Sequence, residues 1–307
     1  MTEIKKSSGI WIDKMELLDL ARLANRKMKK AISKKKEILG GRFLSKIKGR
    51  GMEFDESRPY HPGDEVRHID WRVTAKSGKT HTKLFRQERE RPIMLVLDQS
   101  RSMFFGSRKR LKSVQAARTA SLLGWKAIHA GDRVGAVIFS EKNHHEFRPK
   151  SDKNGFLRLL SYVTKEHNYI VDKMNQGEWS YSNEFFLSHS LRRLRYLIQP
   201  GSLIYVFSDF TGYNEECKKH FFQLSKHSQV KAVLISDPLE KKITSHASYA
   251  MSDGKKIVWF NAGNYEVRKQ YSYSFEKNID LLSNELRLCQ VNLLNVSTVD
   301  DIPIFGE

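Results

Sequence analysis

Residues Ile93-Met94-Leu95-Val96-Leu97 constrain the fold of this chain more than any other stretch. An uninterrupted apolar run of this kind, followed at once by Asp98, reads as a β-strand with no face for water. Such a strand must be covered on both sides. Arg133 to Phe139, Leu203 to Phe207 and Val230 to Ile235 have a similar apolar texture, and between them lie segments whose apolar residues recur at helical spacing. Strands alternating with helices in this way predict an α/β fold, a doubly wound and mostly parallel sheet of Rossmann-like type.

In a sheet of that kind ligands sit beyond the carboxyl ends of the strands, at the point where the strand order reverses. Asp98-Gln99-Ser100-Arg101-Ser102 occupies one such end and Asp209 another. A carboxylate and two hydroxyls at alternate positions are hard oxygen donors of the kind Mg²⁺ or Mn²⁺ accepts. The competing reading gives Asp98 to a helix cap and the serines to loop amides.

The 307 residues suffice for one large domain with an appendage. No run approaches the ~18 consecutive apolar residues of a membrane span, and no signal-peptide pattern is evident, so a cytoplasmic protein is expected. The two cysteines, Cys217 and Cys289, lie far apart without metal-type spacing and are expected as buried free thiols. The net charge of +19 is uneven: residues 1–50 carry 15 Lys or Arg against 5 Asp or Glu. Any purely electrostatic partner, nucleic acid or an anionic membrane surface, therefore belongs to the N-terminal arm.

Three regions follow in order. Residues 1–41 predict a basic amphipathic helix from about 14 to 36, its stripe formed by Leu17, Leu20, Ala21, Ala24, Met28 and Ala31. Residues 42–92 read as an appendage of turns and short strands, where Arg58, Asp64, Arg67, Asp70 and Arg72 are spaced to pair as structural ion pairs. Residues 93–307 hold the alternating pattern. Expected helices lie near 108–130, 152–165, 184–198, 214–226 and 264–288, with a hairpin around Asp253-Gly254 and a last strand from Val291 to Val296. No activated nucleophile, phosphate-cradling loop or paired catalytic carboxylates stand out, so an enzyme is not expected.

Asp98-x-Ser100-x-Ser102 with the later Asp209 resembles a von Willebrand factor A domain and its metal-ion-dependent adhesion site. The upstream block Arg58-Pro-Tyr-His-Pro-Gly-Asp64, Arg67, Ile69-Asp-Trp-Arg72 and Ala75-Lys-Ser-Gly78 is similar to the bacterial family called domain of unknown function 58. The resemblance implies metal ligation by Asp98, Ser100 and Ser102, with Asp209 reaching the ion through water. The threonine such sites use has no counterpart near 177–184, where Ser182 is the substitute. The family resemblance also implies a MoxR-type AAA+ ATPase as partner in a chaperone-like or complex-assembly system, with an acidic residue of that ATPase or of a client filling the open metal position.

Overall fold

The computed structural model describes residues 9–25, 53–86, 91–178, 186–243, 248–252 and 257–301. Ser182 and the turn at Asp253-Gly254 lie outside them. The chain forms two compact units, residues 33–90 and residues 1–32 together with 91–307, where the sequence had suggested boundaries at 42 and 92.

Helix α1 spans residues 14–25; the rest of the expected helix lies outside the described residues. Its stripe packs into the core of the large unit, with Leu17, Leu20 and Ala24 buried. The bond is also polar: Ser121 Oγ and Trp125 Nε1 each donate to the Leu17 carbonyl at 3.0 Å.

In the smaller unit, β1 (Glu53–Pro59) and β2 (His81–Arg86) pair antiparallel around α2 (Trp71–Ser77). This helix corrects the expectation of turns and strands alone. It is specified by its ends rather than by apolar spacing. Asp70 caps it by accepting from the Arg72 and Val73 amides, and Gly78, at φ 67°, closes it in the left-handed conformation that glycine adopts at no steric cost. The ion-pair lattice is correspondingly smaller than expected. Arg58 Nη2 donates to Asp64 Oδ1 at 2.7 Å, and the His61 amide with this guanidinium holds the Asp64 carboxyl below its ordinary range. Asp70 is engaged by its helix and by Ser57 Oγ at 3.0 Å, while Arg67 and Arg72 are exposed.

The large unit continues through β3 (Pro92–Asp98), α3 (Lys112–Ala130), β4 (Arg133–Phe139), β5 (His144–Lys150), α4 (Lys153–Asn175), α5 (Phe186–Leu197), β6 (Leu203–Ser208), α6 (Glu215–Ser225), β7 (Gln229–Ser236), α7 (Pro238–Lys241), the hairpin β8 (Ser248–Ser252) and β9 (Ile257–Asn261), α8 (Tyr265–Leu288) and β10 (Asn292–Ser297). The six-stranded sheet has the order β10-β7-β6-β3-β4-β5, parallel except for β5 at one edge.

Strand β3 is buried along its whole length because both faces are covered. Ile93, Leu95 and Leu97 join the core beneath α1, α3 and α4; Met94 and Val96 join the core on the opposite face, with Leu191, Phe221 and Leu286. From β3 the chain moves outward to β4 and β5, then crosses back to place β6 on the other side. The order thus reverses at the carboxyl ends of β3 and β6.

Candidate functional site

Asp98 ends β3 and lies 4% exposed. Its Oδ1 accepts from the Ser100 amide at 2.8 Å and its Oδ2 from Ser208 Oγ at 2.5 Å. The Ser208 hydroxyl in turn accepts from the Phe210 amide at 3.0 Å, so one hydroxyl joins the ends of β3 and β6. Ser100 Oγ and Ser102 Oγ lie 3.3 Å apart. Ser102 lies near enough to Asp209 to help lower its pKa. The loop therefore gathers Asp98, Ser100, Ser102 and Asp209, the described members of the expected set, at the reversal point. Phe210, immediately after Asp209, is held at φ 56°. A bulky residue there costs on the order of 1 kcal/mol, and such strain persists only where the surroundings fix it.

Two further charged residues belong to this cluster. Lys112, the first residue of α3 and 2% exposed, donates through Nζ to Asp209 Oδ2 at 2.7 Å and to Glu240 Oε1 at 2.6 Å. Glu240 is fixed from behind, since its Oε2 accepts from the Asp237 amide at 2.8 Å in the capping box of α7. Asp209 Oδ1 accepts from the Thr211 amide at 3.0 Å. Neither Lys112 nor Glu240 stood out in the sequence. Glu240 carried a legible signal, because Asp237-Pro238-Leu239-Glu240 has capping-box spacing with proline at the first helical position. Lys112 carried none, since helical periodicity does not tell a buried lysine from an exposed one.

Burial, and then the facing Asp209 carboxylate, push Asp98 up to about 7. Asp209 behaves oppositely. Burial alone would raise it, but the Lys112 ammonium outweighs that and holds it below the usual carboxylate range. Burial disfavours the ammonium of Lys112, yet Asp209 and Glu240 together raise its pKa above the ordinary value. On the β4 side, Glu141 Oε1 accepts from the Arg101 amide at 2.5 Å, while its buried Oε2 has no hydrogen-bond partner among the described residues.

Among the described residues no group of three or more His, Cys, Asp or Glu stands where one metal ion could be held. An ion here would take hydroxyl and water oxygens for most of its ligands, which is the preference of Mg²⁺. The donor set fits on charge as well. Asp209 and Glu240 share the Lys112 ammonium, and Asp98, once ionised, adds a second uncompensated negative charge, so the set can offset a divalent cation. Beside Asp209 opens a cavity of about 550 Å³ lined by Phe210, Tyr213, Tyr271, Phe275 and Leu282 among others. No helix among the described residues is long and apolar enough to cross a membrane.

Over 101 residues the chain is 39% identical to "Uncharacterized protein Rv1480" of Mycobacterium tuberculosis and, to the same extent, to "Uncharacterized protein Mb1516" of Mycobacterium bovis. Each match covers 33% of this chain and 32% of the relative, so the chain spans about a third of the length of these curated relatives. Among solved structures it is similar to "conserved hypothetical protein BatB" from Bacteroides thetaiotaomicron, at 13% identity and a TM-score of 0.40 over 67% of this chain and 90% of that one. It is also similar to "an aerotolerance-related membrane protein" from Bacteroides fragilis, at 14% identity and a TM-score of 0.40 over 69% and 92%. The profile of one family, "Protein of unknown function DUF58", matches residues 56–279, most of the chain, and the protein is a member of that family.

Proposed function

We propose that this protein is a non-enzymatic interaction module of von Willebrand factor A type, in which Asp98, Ser100 and Ser102, with Asp209 through water, hold Mg²⁺ or Mn²⁺ and present it to an acidic side chain of a partner. The observation that carries this reading is the cluster at the sheet's reversal point: buried carboxylates in excess of their one ammonium, beside paired hydroxyls. A divalent ion bound there supplies a positive charge with an open coordination position. The chain's own part is to hold the donors in place. The Ser100 amide and the Ser208 hydroxyl fix Asp98, the Thr211 amide and Lys112 fix Asp209, and the sheet core excludes water behind them.

The partner we assign is a MoxR-type AAA+ ATPase or its client, and the setting a chaperone-like or complex-assembly system in the cytoplasm. Calorimetry with Mn²⁺ and capture of a co-expressed ATPase test the reading together. Wild type should bind about one ion and retain the ATPase, and Asp98→Ala should lose both. Equal capture by the two proteins, in Mn²⁺ or in chelator, overturns the metal-mediated mode.

A further inference from the structure

We infer that Lys112 is a positioning residue for the metal site: its ammonium takes up Asp209 Oδ2, keeps that carboxylate out of direct coordination, and so leaves the bound ion with charge for a partner's carboxylate. The inference rests on the metal reading above and names the residue of this chain that sets the strength of that contact.

Lys112 stands where a lysine is doubly disfavoured. It is the first residue of a 19-residue helix, so its charge lies at the positive end of the helix dipole, and its side chain is 3% exposed. A lysine stem is long enough to carry the ammonium out to solvent from most surface positions. Here it turns inward instead, and both its carboxylate partners are held ready for it. Glu240 is tied through its other oxygen to the Asp237 amide, and Asp209 through its other oxygen to the Thr211 amide. Ser107 and Thr298 further lock Asp237, with Thr298 Oγ1 donating at 2.6 Å, so the platform beneath Glu240 is rigid.

The charge count decides what this arrangement does. With Asp98 ionised beside the bound ion, Asp98, Asp209 and Glu240 exceed the lysine by two negative charges. Without it the excess is three, and Asp209 Oδ2 loses the donor that engages it. The ion would then gain an anionic ligand in place of water, be held more tightly, and offer less positive charge outward. The lysine therefore trades ion affinity for attraction to a partner.

The test uses the full chain with Mn²⁺ as the ion and acetate as the probe carboxylate. Ion affinity is read by calorimetry, and coordinated water by the relaxation rate of solvent protons. Lys112→Met, close in length but uncharged, should bind Mn²⁺ roughly ten-fold more tightly or better, as expected for a freed carboxylate at close range. It should also show less coordinated water and weaker acetate binding. A lysine with a merely structural role predicts the reverse for the ion: affinity lowered or unchanged. Unchanged affinity and water content in a folded Lys112→Met protein overturn the inference. If that variant does not fold, Glu240→Gln decides. It removes one negative charge and leaves the lysine to Asp209 alone, so Mn²⁺ should bind more weakly with its water unchanged; tighter binding overturns the inference. Absence of Mn²⁺ binding by wild type, or binding that persists in Asp98→Ala, defeats instead the metal reading on which the inference stands.

Discussion

Two buried side chains give this protein opposing responses to pH. Asp98, pushed up from 3.8 to about 7, keeps a proton in the folded chain that the unfolded chain has already released. In the ion-free protein its contribution to stability therefore falls as pH rises from about 4 to about 7. His167 is brought down by burial from 6.5 to about 4; its Nε2 donates to the Ile10 carbonyl at 3.0 Å and its ring stacks on Phe104. It must stay neutral in the fold, so its contribution falls as pH drops from about 6.5 to about 4, by about 3 kcal/mol. Urea midpoints between pH 4 and 7 separate the two. Asp98→Asn should lose stability toward acid, His167→Gln toward neutrality, and ion-free wild type should vary less than either. The clustering of Asp98, Ser100 and Ser102 was legible residue by residue because these side chains lie within a few positions of one strand end. The ammonium completing the cluster was not, because Lys112 meets Asp209 and Glu240 across 97 and 128 residues of sequence.

At the scale of elements, the sequence was most informative where burial is most complete. The strands of the sheet were readable because their residues face a core on both sides. Helix α4 runs to Asn175, beyond its expected end near 165, because its buried stripe continues through His167, Ile170 and Val171 and a buried histidine interrupts the apolar pattern. Helix α2 was missed for the opposite reason: it buries no residue of its own and is defined by Asp70 and Gly78. Helices α3 and α4 meet where Gly124 faces Phe156, whose ring packs edge-on against Trp125 at 4.9 Å. A Cβ at position 124 would lie 2.2 Å from that ring. Phe156 is 2% exposed and cannot swing aside. Gly124→Ala should therefore destabilise the protein by about 1–2 kcal/mol, overpacking outweighing the better helix propensity of alanine; chemical denaturation checks it.

For the molecule as a whole, the docked α1 changes how the basic arm should be tested for polyanion binding. Removing residues 1–41 would strip Leu17, Leu20 and Ala24 from the core and leave the Trp125 indole without its carbonyl partner. The charge substitutions Lys34→Glu, Lys35→Glu and Lys36→Glu avoid this loss. If the arm engages nucleic acid or anionic lipid, the triple variant should flatten the salt dependence of that binding, by roughly three counterions for DNA. Capture through the metal loop should be unaltered. The ammonium of Lys112 bears finally on the order in which this protein is made. A domain whose buried acids answer only to a metal cannot mature until the metal arrives, as structural zinc domains cannot. Here Lys112 neutralises part of the acidic cluster and a proton on Asp98 relieves more of it, so the newly made chain can close its core without an ion, and the ion we propose would join it afterwards, from whatever supply its surroundings offer.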